Sequence, residues 1–154
     1  MLRRANQRSA GFTLIELVVV VMILGIIASI AAPKLLSTTE TATDNGLRHT
    51  LGVIRGSIDS YAAENGGMLP GADGNSTTLK SDLAKYLRGA NFPTCPVGDA
   101  NNSAIRMHSG NDTIASGVAG SKATHSWVYK FDTGEFHVNH DGAAADGATA
   151  YHEF

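Results

Sequence analysis

The stretch Gly11-Phe12-Thr13-Leu14-Ile15-Glu16, followed by the uncharged run Leu17–Pro33, decides how this chain is built. Arg3, Arg4 and Arg8 precede it, and the apolar run opens at Phe12. A single carboxylate, Glu16, interrupts that run. From Phe12 to Ala32 there are 21 residues. As a helix rising 1.5 Å per residue, a segment of that length crosses a hydrocarbon core of roughly 30 Å. A carboxylate inside such a span costs about 2.5–3.5 kcal/mol on insertion scales, so its presence calls for a role.

Two ordinary explanations of the span leave Glu16 without one. A secretory signal peptide cut near Ser29-Ile30-Ala31 has a shorter apolar region than this, and a plain signal anchor has no use for a buried acid. The junction instead resembles the type III signal of type IV prepilins and type II secretion pseudopilins, most closely the major pseudopilin. The glycine, the phenylalanine, the glutamate at the fifth position after the cut and the apolar helix all stand where that family has them. The resemblance implies cleavage between Gly11 and Phe12 by a membrane-embedded prepilin peptidase, and methylation of the new amine on Phe12. It also implies that Glu16 meets the N-terminal amine of a neighbouring subunit during assembly. Pairing of Glu16 with its own N-terminus is the local alternative, and the residues do not separate the two.

Outward from the junction, Pro33 removes one helical hydrogen bond and is expected to kink or break the helix. The spacing of Leu47, Leu51, Ile54, Ile58 and Tyr61 predicts an amphipathic helix over about 34–65 with those five side chains in the core. Gly52, Gly56 and Ser60 fall on its opposite side, either admitting a close neighbour or simply tolerated there. Asn65-Gly66-Gly67 is a stop signal. A short helix is expected up to about Leu87, capped by Thr78 or Ser81, with Leu79, Leu83 and Leu87 on one face. The Gly-, Asn-, Ser- and Pro-rich stretch Ala90–Gly120 reads as a long surface connection with a short strand near Ala104–Met107. Trp127, Tyr129 and Phe131 alternate with Val128 and Lys130, and Asp132-Thr133-Gly134 turns the chain into Phe136 and Val138. This predicts a hairpin over about 126–139 whose aromatic row packs on the Leu47–Tyr61 face. The tail from His140 to Ala150 reads as loop, with Tyr151 and Phe154 tucking back onto the sheet.

The expected fold is therefore α+β and pilin-like, a long N-terminal helix packed on a small C-terminal antiparallel sheet. Residues 1–11 form the leader, 12–32 the transmembrane and assembly helix, and 33–154 the head. The leader arginines keep their end in the cytoplasm, which puts the head in the periplasm of a single-pass inner-membrane protein. The chain has 12 Lys and Arg against 14 Asp and Glu, and three of the arginines sit in the leader, so the remainder is net acidic. That balance argues against nucleic acid as a partner.

No nucleophile elbow, phosphate loop or zinc-protease signature occurs, so the chain does not read as an enzyme. His108, His125, His137, His140 and His152 read as solvated side chains rather than metal ligands. Cys95, alone, excludes an internal disulfide; it reads as a buried small apolar residue, with a reactive thiol or an intermolecular bridge as alternatives. Major pseudopilins carry calcium in their C-terminal loops, which makes Asp132, Asp141 and Asp146 candidate ligands, against the reading of solvated loop acids. The partners implied by the resemblance are copies of the chain and other pseudopilins in a filament, prepilin peptidase, membrane lipid, and an inner-membrane assembly platform with its ATPase. A type IV pilin for adhesion, motility or DNA uptake is the alternative. A membrane-anchored binding module, with Ala90–Gly120 as its site, is a third.

Overall fold

A computed structural model describes residues 12–89, 91–110 and 124–154. The leader, with Gly11, lies outside the described residues, as do Ala90 and 111–123 of the stretch read as a long connection. The chain divides into two units, Met1–Thr38 and Thr39–Phe154.

Helix α1 spans Leu14–Glu64. Pro33 lies inside it without ending it, although proline has no N–H for the carbonyl four residues back. In the first unit the apolar side chains are uncovered: Leu14, Leu24, Ile26 and Ile30 are all more than half exposed. This part of α1 is long and apolar enough to cross a membrane.

The second unit forms around the other half of α1. Leu47, Leu51, Ile54 and Ile58 are buried, and Tyr61 packs partly against the same cluster. The predicted stripe is thus the helical side of the core. A methyl group added at Gly52 or Gly56 would meet nothing within 4 Å among the described residues. After Glu64 the backbone turns left-handed at Gly66 and Gly67, and the Gly67 N–H returns to the Ala62 carbonyl at 2.8 Å, closing the helix.

Helix α2 spans Ser76–Leu83. Its cap is Asn75, whose side-chain oxygen accepts from the Thr77 N–H at 2.8 Å, rather than Thr78 or Ser81. The Thr78 hydroxyl donates instead to Asp73, which also accepts from the Asn75 N–H. Asp73 thereby sets the extended conformation at Asn75 that an N-cap needs. Leu79, Leu83 and Leu87 are all buried, the last beyond the helix in a closing turn.

Three strands follow: β1 Ile105–His108, β2 Trp127–Lys130 and β3 Phe136–Val138, ordered β1-β2-β3. The β2–β3 pair is the expected antiparallel hairpin, with Trp127 opposite Val138 and Tyr129 opposite Phe136. Gly134, at φ +81°, supplies the left-handed turn residue. The β1–β2 pair is parallel, so the sheet is mixed instead of wholly antiparallel. Parallel neighbours need a crossover of a dozen or more residues, and residues 109–126 are enough chain to provide one. Trp127, Tyr129 and Phe136 enter the core with the α1 stripe, while Phe131 is only partly buried. Val128 and Lys130, on the alternate side of β2, are buried as well; Lys130 forms an ion pair with Glu135 at 2.9 Å. The stretch ahead of β1 is more than a surface connection. Phe92 and Cys95 are buried in the core, and the Trp127 indole donates to the Pro93 carbonyl at 3.0 Å.

Candidate functional site

At the start of α1, Thr13 and Glu16 close on each other. The Glu16 carboxylate accepts from the Thr13 N–H at 2.9 Å and from its hydroxyl at 2.8 Å. The Thr13 hydroxyl oxygen in turn accepts from the Glu16 N–H at 3.3 Å. This is a reciprocal capping box: each side chain satisfies a backbone donor that the first turn of a helix would leave without a partner. Glu16 therefore has a partner inside its own chain, in Thr13. Thr13 is the residue missed when the junction is read for its charge alone. Its signal is the spacing Thr-x-x-Glu immediately before an apolar run. Phe12 and Ile15, beside Glu16, are largely exposed, so the carboxylate sits on an uncovered apolar surface.

The family described as the prokaryotic N-terminal methylation motif matches residues 6–32. The N-terminal part of the chain thus carries the methylation motif of prepilin-type proteins. Curated proteins are similar to the chain over part of its length. It is 39% identical over 59 residues to type II secretion system core protein G of Klebsiella pneumoniae, covering 38% of this chain and 42% of the relative. To the protein of that name from Escherichia coli it is 32% identical over 62 residues, or 40% and 43% of the two chains. Competence protein ComGC of Halalkalibacterium halodurans is 28% identical over 64 residues, covering 42% of this chain and 63% of the relative. The matched segment spans about two fifths of the core protein G relatives. No solved structure matches the chain.

The three aspartates considered for calcium do not come together. Asp132, in the β2–β3 turn, accepts from the Gly110 N–H at 2.7 Å, and that bond holds its carboxyl below the usual range. Asp146 accepts from the Thr149 hydroxyl at 2.6 Å and from the N–H groups of Thr149 and Ala148 at 2.9 and 3.0 Å. Those bonds bring its pKa down to about 2. Asp141 is exposed on the approach to that loop. Among the described residues no three His, Cys, Asp or Glu side chains group to hold a metal ion. The carboxylates as arranged do not fit a calcium site.

The histidines are less solvated than their sequence suggests. His137 is half-buried, its Nδ1 lies 3.0 Å from the His152 carbonyl oxygen, and burial pushes its pKa down. His140 stacks on Tyr151. Cys95 is fully buried and free, and burial pushes its thiol up. This is the small apolar role rather than a thiolate nucleophile.

A second set of side chains was not anticipated. Asp44, buried on α1, accepts from the Ala145 N–H and the Tyr151 hydroxyl, each at 2.7 Å. The Arg48 guanidinium lies 3.4 Å over the Phe154 ring. Arg55 donates to the Phe136 carbonyl through Nε and Nη2 at 3.1 and 2.8 Å, and to the Phe154 carbonyl through Nη1 at 2.6 Å. At 100° per residue these three charged residues fall within about 40° of one another, beside the apolar stripe. That spacing was their sequence signal.

Proposed function

We propose that this chain is a structural subunit of a type II secretion pseudopilus. The observation that supports it best is Glu16, the one charged residue between Phe12 and Pro33, lying within the methylation motif. In this reading prepilin peptidase cuts after Gly11 and methylates Phe12. The subunit waits in the inner membrane as a single-pass protein with its head in the periplasm. Copies of the chain and other pseudopilins then stack through their apolar segments, driven by an assembly platform and its ATPase. The work is mechanical, and no catalytic role is assigned to the head.

Assembly gives Glu16 a partner that insertion alone does not. A carboxylate and an amine at similar membrane depth each lose hydration, and pairing offsets part of that cost. Within the lone subunit the capping box with Thr13 carries Glu16 until a neighbour arrives.

The test is expression of the full chain in a type II secretion host lacking its own core protein G. Secretion of an exoprotein should be restored by the wild type. Gly11→Ala should leave the leader attached. Glu16→Ala should be inserted and cleaved yet form no filaments. Normal filaments from Glu16→Ala would remove the assignment of Glu16. A second reading, a type IV pilin-like subunit for DNA uptake, adhesion or motility, is favoured by the longer share of the competence protein that is matched. Filaments that form without restoring secretion would support it.

A further inference from the structure

We propose that residues 143–154 form a strap latched to the head half of α1 by side chains in place of a metal ion, with Asp44 as its central fastening, so that the strap keeps its fold without calcium.

The strap is closed upon itself before it meets the helix. Ala143 pairs with Ala150 in an antiparallel bridge, and the Ala144 N–H donates to the Thr149 carbonyl at 2.8 Å. Asp146 turns the loop between them by holding the Ala148 and Thr149 N–H groups. Calcium needs six to eight oxygens around one point. Here both Asp146 oxygens already serve the loop's own donors, while Asp132 is engaged with Gly110 in the hairpin turn. The turn is thus made by the kind of bond an ion would otherwise replace.

The fastening to α1 is of the same kind. Asp44 is 7% exposed and uses one oxygen for the Ala145 N–H and the other for the Tyr151 hydroxyl. Both donors belong to the strap. Arg48 covers the Phe154 ring, and its positive charge also acts on Asp146. Arg55 ties the Phe154 carbonyl to the same helix face and, with two further bonds, to β3. A divalent cation placed near Asp146 would meet the field of Arg48, which opposes it. Hydrogen bonds to a buried carboxylate are among the stronger ones, and each of these joins segments about a hundred residues apart.

The inference holds whether the filament serves secretion or a pilus, and its test needs no filament. The full chain in detergent micelles is heated in excess EDTA and in millimolar calcium, and amide hydrogen exchange is followed over 143–154. The wild type should melt at one temperature in both solutions, with the strap protected in both. Asp44→Asn, which keeps the shape but turns an acceptor into a donor, should lower protection of the strap by about ten- to a hundredfold, and calcium should not restore it. Should that variant not fold, Tyr151→Phe removes one bond only and should show a smaller loss confined to the strap. A wild-type melting temperature that falls in EDTA and recovers with calcium overturns the proposal. So does a strap equally protected in wild type and Asp44→Asn.

Discussion

Glu16 and Thr13 share three hydrogen bonds within one turn of helix, and the hydroxyl takes part in two of them. Thr13→Val removes the hydroxyl while keeping the shape. Under the proposed function the variant should still be inserted and cleaved, and its yield of sheared filaments should fall, though less than with Glu16→Ala. A yield equal to wild type would mean that the box has no part in presenting Glu16. Cys95 gives a second test at this scale. It is wholly buried, with its thiol pushed up by burial, so maleimide should fail to label the folded chain and should label it fully in denaturant. Labelling of the folded chain at the rate of a free thiol would contradict the packing role. The two residues of the capping box were not equally legible in the sequence. Glu16 stood out because its cost in an apolar run is large. Thr13 did not, because a hydroxyl beside an apolar run is ordinary until its bond to position 16 is seen.

Among the elements, those whose cause is local were legible. The four- and three-residue spacing from Leu47 to Tyr61 can be satisfied only by a helix with one buried side, and Asn65-Gly66-Gly67 only by its end. The hairpin of β2 and β3 followed from its alternation and from Gly134. Leu51→Ala should therefore cost about 2–5 kcal/mol in chemical denaturation, as a cavity in a packed core does. Val53→Ala, two residues along the same helix at 42% exposure, should stay within about 0.5 kcal/mol. Equal effects at the two positions would show that the stripe is not the core. Gly71→Ala should also destabilise. Its φ of +63° disfavours any side chain, and the added carbon would lie 2.8 Å from the Leu79 Cβ. The parallel pairing of β1 with β2 was not legible, because nothing in the four residues of either strand fixes their relative direction. The cap of α2 was misread for a related reason: Thr78 and Asn75 both offer an oxygen, and the choice between them is made by Asp73.

For the whole molecule, pH is a lever that reaches the latch. Burial, then the hydrogen bond to Asp44, push Tyr151 up to about 12, against an ordinary value near 10. The folded state favours the neutral phenol. The stability this contributes is complete below about pH 10 and is lost as pH rises towards 12. The melting temperature of the wild type should fall in that window more steeply than that of Tyr151→Phe, which has no proton to lose there. Parallel curves would exclude the phenol as the cause. The latch itself could not be read in advance, since Asp44 and Tyr151 are 107 positions apart and nothing local to either names the other. That separation also sets an order of events during synthesis. The apolar side of α1 leaves the ribosome about a hundred residues before the strap that fastens to it, and contacts closed over so long a loop form late. Until then the surface around Leu47, Leu51, Ile54 and Ile58 stands open to proteases and to chance association. The chain is at its most vulnerable while it is still being made, and a quality-control protease would distinguish finished heads from truncated ones at this face.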